Sequence, residues 1–212
     1  MKTLIVGSGN EISSELVKKH YSWADYVIAA DGGLMHLKKA HLIPDLLIGD
    51  FDSLPANLLK EARQSKEIEV AQFPPQKDLT DLELALNLAI EKGTTHLVIL
   101  GATGNRLDHT TANIHLLYKL MKNNISGYIE DNNNRIYMTD KELILEREYG
   151  YNVSILPLPP VANGVTTKGL VYKLDNADLS FGTGLGVSNE FNDEKAVISV
   201  RKGLLLVFLS KD

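Results

Sequence analysis

Short, largely apolar runs alternate with helical spacing through the first part of the chain. The runs are residues 4–6, 26–30, 46–48, 68–73 and 96–100. They are closed by Gly7-Ser8-Gly9, Asp31-Gly32-Gly33, Gly49-Asp50, Pro74-Pro75 and Gly101 in turn. Between them, amphipathic patterns predict helices near residues 11–20, 34–41, 55–65, 79–91 and 107–122. A run apolar at every position is covered on both faces, as in a parallel sheet between helix layers. The alternation predicts an α/β domain with a doubly wound, mostly parallel, Rossmann-like sheet. The helix opening at Thr80 is the best marked. Thr80-Asp81-Leu82-Glu83 fits a capping box, and Leu82, Leu86, Ala89 and Ile90 recur at helical spacing before Gly93.

After about residue 123 the pattern changes. Short strand candidates at 126–130, 135–139, 153–156, 169–174, 195–200 and 204–209 are separated by Gly, Pro, Asn and Asp. This predicts a small all-β sandwich. Two domains are therefore expected, residues 1–124 and 125–212.

Composition narrows the function classes. The chain has 212 residues, 44% hydrophobic and 23% charged, with a net charge of −5. That balance fits a folded globular protein and argues against a nucleic-acid partner bound through phosphate neutralisation. With 0 Cys there is no thiolate ligand, thiol nucleophile or disulfide. All 6 His lie at or before His115, so the β part carries no imidazole chemistry. The first apolar run is too short for a signal peptide and no later run could span a bilayer. A cytoplasmic enzyme or binding protein, with no membrane partner, is the expectation.

Acids cluster just past the apolar runs: Asp31, Asp50, Asp52, Asp78 and Asp81. Open α/β sheets bind ligands at the carboxyl ends of their strands. Five such acids suggest one shared crevice. In extended backbone Asp50 and Asp52 point the same way. Two like carboxylates repel unless a cation lies between them, and Mg²⁺ takes oxygen ligands together with substrate phosphates. A solvated acidic turn and helix capping are the plainer readings of the same residues.

Two glycine turns follow strands. Gly7-Ser8-Gly9-Asn10-Glu11-Ile12 resembles the start of a dinucleotide fingerprint, but Ile12 stands where the third glycine is needed. Gly101-Ala102-Thr103-Gly104-Asn105-Arg106-Leu107-Asp108-His109 could offer backbone N–H groups and the Arg106 fork to phosphate. Asp108 could orient Arg106 or bind metal, and His109 taken alone reads as a packed or surface histidine. In the β part, Gly182-Thr183-Gly184-Leu185-Gly186-Val187-Ser188-Asn189 suits either a ligand-facing loop or a plain hairpin connection.

Taken in order, these motifs resemble the thiamine pyrophosphokinase family. The resemblance runs through Asp31-Gly32-Gly33, Pro44-Asp45, Gly49-Asp50-Phe51-Asp52-Ser53 and Lys77-Asp78 with Thr80-Asp81. It continues through Gly101-Ala102-Thr103-Gly104 with Arg106, Asp108 and His109, and ends at Gly186 and Ser188-Asn189. It implies an ATP- and Mg²⁺-binding catalytic domain followed by a thiamine-binding, dimerising β-sandwich. It also implies a homodimer with a composite active site and transfer of a diphosphate group from ATP to thiamine. On this resemblance Asp50, Asp52 and Asp81 are metal ligands, and Asp78 binds metal or assists deprotonation. Lys77, Thr80, Gly101, Thr103, Gly104, Arg106, Asp108 and His109 serve ATP, while Asp31, Gly32, Ser188 and Asn189 serve thiamine. Some family members stack a β-domain Trp on thiamine. The single Trp here is Trp23, which leaves Phe191 as the aromatic candidate. The alternatives are a haloacid-dehalogenase-like phosphatase with Asp50 as nucleophile, and a non-catalytic nucleotide-binding module.

Overall fold

The apolar runs become strands in a computed structural model that describes residues 1–74 and 78–212. The first unit, Met1–Asn132, is built from β1 (Lys2–Val6), α1 (Ser14–Trp23), β2 (Tyr26–Ala30), α2 (Gly33–Lys39), β3 (Leu46–Gly49) and α3 (Ala56–Gln64). It continues with β4 (Glu69–Gln72), α4 (Asp81–Glu91), β5 (His96–Leu100), α5 (Leu107–Lys122) and β6 (Ser126–Glu130). Its strands lie in the order β4-β3-β2-β1-β5-β6, all parallel.

Alternation along each strand divides the side chains between two layers. Leu4 and Val6 of β1 join one core cluster with Val17 of α1, Leu34 and Leu37 of α2 and Ala62 of α3. Ile5, fully buried, points the other way. There α4 lies against β1, β2 and β3, and buries Leu82, Ala85, Leu86 and Ala89. The expected doubly wound sheet is therefore present. The strand order reverses direction between β1 and β5, and a crevice opens at such a switch point.

One boundary differs. Residues 126–130 read in sequence as the opening strand of the β part, yet β6 pairs in parallel with β5 across His96–Leu100. A β-α-β crossover through α5 is what a parallel neighbour requires. The first unit accordingly runs on to Asn132.

The second unit, Asn133–Asp212, contains β7 (Asn134–Thr139), β8 (Glu142–Glu146), β9 (Asn152–Pro157), β10 (Val161–Lys168), β11 (Ala177–Ser180), β12 (Lys195–Ser199) and β13 (Leu205–Ser210). Antiparallel β7-β13-β9 and β11-β10-β12-β8 form two layers. Val153, Ile155, Leu205, Val207 and Leu209 of one layer pack with Leu145, Ala162, Val165, Leu179, Ala196 and Ile198 of the other. That shared core makes the expected sandwich. Residues 169–174, expected as a strand, are irregular, with one bridge from Leu170 to Phe191. Gly169 explains the break. It sits at φ +74°, and a Cβ there would lie 1.9 Å from Lys195 O. No helix among the described residues is long and apolar enough to cross a membrane.

Candidate active site

A cavity of about 700 Å³ opens at the carboxyl edge of the first unit's sheet. Its walls come from the turns after β1, β2, β3 and β5 and from the first turns of α4 and α5. That volume is in the range of small-molecule sites.

One wall is acidic. Asp31, Asp50 and Asp52 each bring a carboxylate oxygen within 4.8 Å of the others. Local backbone explains how. Asp31 follows β2 at φ +48° and donates its N–H to Ile48 O at 2.7 Å, which ties the ends of β2 and β3 together. Phe51 sits at φ +68° and buries its ring in the core. The backbone through Asp50-Phe51-Asp52 is therefore a turn and not extended. Asp52 N donates to Asp50 Oδ1 at 3.2 Å within it. The two acids do converge, but by turning about an anchored Phe51 and not by strand alternation. Asp31 is 7% exposed. Ser53 Oγ donates to its Oδ2, while its buried Oδ1 has no hydrogen-bond partner among the described residues. A buried, unpaired carboxylate oxygen is costly unless a cation or donor meets it. Three carboxylates and a cavity lined with oxygen donors fit a hard divalent cation such as Mg²⁺.

The opposite wall is made of the two glycine turns, and they are bonded to each other. Gly7 N donates to Leu100 O, Gly9 N to Gly101 O and Asn10 N to Thr103 O, each at 2.8 Å. The resemblance to a dinucleotide fingerprint is thereby corrected. The Gly7 and Gly9 N–H groups are engaged with the neighbouring turn and are not available to a pyrophosphate. The glycines permit that approach, since a Cβ on Gly9 would lie 2.2 Å from Thr103 O. The second turn is braced from α5. Gly104 N donates to Thr110 Oγ1 at 3.0 Å, and Asn113 Nδ2 donates to Ala102 O at 2.7 Å.

Helix ends supply the remaining residues. Thr80 caps α4, accepting from Glu83 N at 3.2 Å, and Thr80 and Asp81 line the cavity. Arg106 and His109 line it at the start of α5. Arg106 donates to both oxygens of Asp108, at 3.3 and 2.7 Å. This hydrogen bond holds the exposed Asp108 carboxyl down at about 2 and raises the Arg106 guanidinium. Asp108 thus orients Arg106 and lies outside the cavity wall.

Asp31, Asp50, Asp52, Thr80, Asp81, Gly101, Thr103, Gly104, Arg106 and His109 therefore converge on one cavity. Gly32, Asp78 and Asp108 lie outside its walls, and Lys77 falls outside the described residues. Every wall residue belongs to the first unit. In the second unit Ser188 is exposed, at φ +56°. Asn189 is 2% exposed, and its amide is paired with the Tyr172 backbone N–H and C=O at 3.0 and 2.7 Å. Phe191 is packed in the sandwich core, which removes it as a stacking platform. Ser8, Asn10 and Ser53, which stand within the sequence motifs but carry no ligand role there, also line the cavity, as do Thr110 and Asn113, which no motif includes. For Thr110 and Asn113 the signal was present: both share the inner face of the helix that begins after Arg106.

Comparison with known proteins reaches the same place. The model for "Thiamin pyrophosphokinase, catalytic domain" matches residues 17–129, and that for "Thiamin pyrophosphokinase, vitamin B1 binding domain" matches residues 141–205. Thiamine pyrophosphokinase of Bacillus subtilis is 33% identical over 221 aligned residues, covering 100% of both chains. Its crystal structure superposes with a TM-score of 0.90 at 32% identity, again over 100% of each chain. Thiamin pyrophosphokinase from Geobacillus thermodenitrificans gives a TM-score of 0.87 at 31% identity, covering 100% of this chain and 98% of that one. With matches of this length across both units, the chain belongs to the thiamine pyrophosphokinase family.

Proposed function

We propose that this chain transfers a diphosphate group from ATP to thiamine in the cavity at the β1/β5 switch point, with Mg²⁺ as the cation. The observation that carries the reading is the convergence of Asp31, Asp50 and Asp52 opposite the paired glycine turns. The thiamine hydroxyl oxygen attacks the β-phosphorus of ATP. The bond from that phosphorus to the α,β-bridging oxygen breaks, AMP leaves, and the hydroxyl proton is released. Such a transfer needs in-line positioning and neutralisation of charge more than covalent help from the protein.

Asp50 and Asp52 would hold Mg²⁺ together with Asp31 or Asp81. Asp31 is the added member, because it lines the same cavity and brings a carboxylate oxygen within 4.8 Å of theirs. Bound there, the cation would offset the charge of the transferring phosphoryl groups. Arg106, held in plane by Asp108, supplies a fork of donors for phosphate. The positive end of α4 favours negative charge at Thr80 and Asp81. The acidic wall also suits the cationic thiazolium ring. Ser188 would meet thiamine from a second copy of the chain, in a homodimer, with Asn189 holding that loop in shape.

The test is direct. Purified protein with ATP, Mg²⁺ and thiamine should release AMP and form thiamine diphosphate in equal amounts. Release of ADP or inorganic phosphate would refute diphosphate transfer. Asp50→Asn should lower turnover by about 10²-fold or more while keeping the far-ultraviolet circular dichroism of the parent.

A further inference from the structure

Of two side chains just past the end of β6, one reaches back to a turn that walls the cavity and the other to the segment that follows the opposite turn, although neither lines the cavity. Thr103 Oγ1 donates to Asp131 Oδ2 at 2.7 Å. Asn132 Oδ1 accepts from Ser13 N and its Nδ2 donates to Glu11 O, both at 2.9 Å. Ser13 caps α1, so these two bonds grip the segment between the first glycine turn and that helix. Asn10 N donates to Thr103 O at 2.8 Å.

The links form a closed circuit. It runs from Thr103 to Asp131, along the chain to Asn132, across to Glu11 and Ser13, back to Asn10, and across again to Thr103. A closed circuit fixes the spacing of the two turns more firmly than one contact between them, because each link limits the motion the others allow. The Thr103 link is charge-assisted and so the strongest of the side-chain links. It also sets the rotamer of a hydroxyl that lies in the cavity wall. The pair follows a strand's carboxyl end, as Asp31 and Asp50 do, and neither residue lines the cavity.

We propose that Asp131 and Asn132 are positioning residues for nucleotide binding, holding the turns at residues 7–10 and 101–104 at the spacing that accepts a triphosphate. The inference rests on the cavity being the ATP site. Losing one such link weakens ground-state and transition-state binding alike, so KM rises while kcat holds.

The experiment compares wild type, Asp131→Ala, Asp131→Asn and Asn132→Ala. It measures Kd for α,β-methylene ATP with Mg²⁺ by calorimetry, then KM for ATP, kcat and thermal midpoint. Asp131→Ala and Asn132→Ala should each weaken the analogue about threefold to tenfold and raise KM in parallel, with kcat changed by less than about twofold. Asp131→Asn keeps an oxygen that accepts from Thr103 and should stay within about twofold of wild type. Unchanged analogue affinity with only a lower thermal midpoint would overturn the proposal. So would Asp131→Asn as weak as Asp131→Ala, since the bond would then not be the cause. Wild type that binds the analogue but makes no AMP refutes diphosphate transfer and leaves the affinity comparison decisive. Wild type that does not bind the analogue overturns both.

Discussion

Gly9→Ala is the sharpest perturbation of the cavity's architecture, because its effect follows from distance alone. The added Cβ would lie 2.2 Å from Thr103 O and 2.6 Å from Gly101 O, against roughly 3.3 Å for an ordinary carbon–oxygen approach. Both obstructing atoms are backbone, so no side chain can swing aside. Relief requires the turns to part by about 1 Å. The bonds Gly9 N to Gly101 O and Asn10 N to Thr103 O, both 2.8 Å, would then stretch past useful length. Overpacking strain of about 1–3 kcal/mol adds to the two weakened bonds at about 0.5–1.5 kcal/mol each. The expected loss of stability is therefore about 2–6 kcal/mol, which a typical domain survives only in part.

Functional loss should exceed what unfolding explains. Displacing a turn of the cavity wall by about 1 Å can lower turnover by up to about 10²-fold in molecules that remain folded. Gly104→Ala is the matched control for stability. It lies in the second turn, but its added Cβ would come no closer than 3.7 Å to Asn10 N and Gly9 Cα. Urea unfolding should place Gly104→Ala within about 0.5 kcal/mol of wild type and Gly9→Ala far below. Amide hydrogen exchange at Gly9 and Asn10 should accelerate in Gly9→Ala. A Gly9→Ala protein as stable as wild type, with protected amides and an unchanged KM for ATP, would refute the claim that the two turns are locked together.

Three further outcomes are expected. Asp108 titrates at about 2 because of its bond to Arg106; its carboxyl is lowered in the fold, so its stabilising effect holds above 3.8 and fades as pH falls through about 2. In Arg106→Ala, carbon-13 NMR should find Asp108 back near 3.8, and an unmoved titration would sink the assignment. His20 Nε2 meets Glu130 Oε2 at 2.7 Å with both side chains buried, and Trp23 and Tyr128 set their rings edge-on to the imidazole. His20→Ala should lower stability by about 3–5 kcal/mol in chemical denaturation, and a loss under about 1 kcal/mol would show that the pair is not structural. Asp52→Asn should weaken Mn²⁺ binding, followed by electron paramagnetic resonance, about tenfold or more, and Ser53→Ala should weaken it less by freeing the Asp31 carboxylate; equal affinity in Asp52→Asn would remove that residue from the cation site.

What could be read from sequence follows from which forces are local. The first unit's sheet was legible because strands buried on both faces, such as Leu4 to Val6 and Leu97 to Leu100, leave no polar position to confuse them with helix. β10 was not legible. Its register shifts between Ala162 and Val165, and Gly164 stands at φ +66°, so the alternation is broken where the bulge falls. The acids were found by one rule, that ligands meet the carboxyl ends of strands. Applied once more, the rule reaches Asp131, which directly follows β6 but looks like the first residue of a polar turn in Asp131-Asn132-Asn133-Asn134. Sequence could not show how Asp50 and Asp52 meet, because a positive φ at Phe51 is an unfavourable local state held by burying its ring. Nor could it show why Gly7 and Gly9 are glycines. Their partner is the backbone of a turn more than ninety residues on, brought adjacent only when β5 pairs with β1. The same pattern of residues serves a phosphate cradle or a backbone-to-backbone contact, and the strand order decides which.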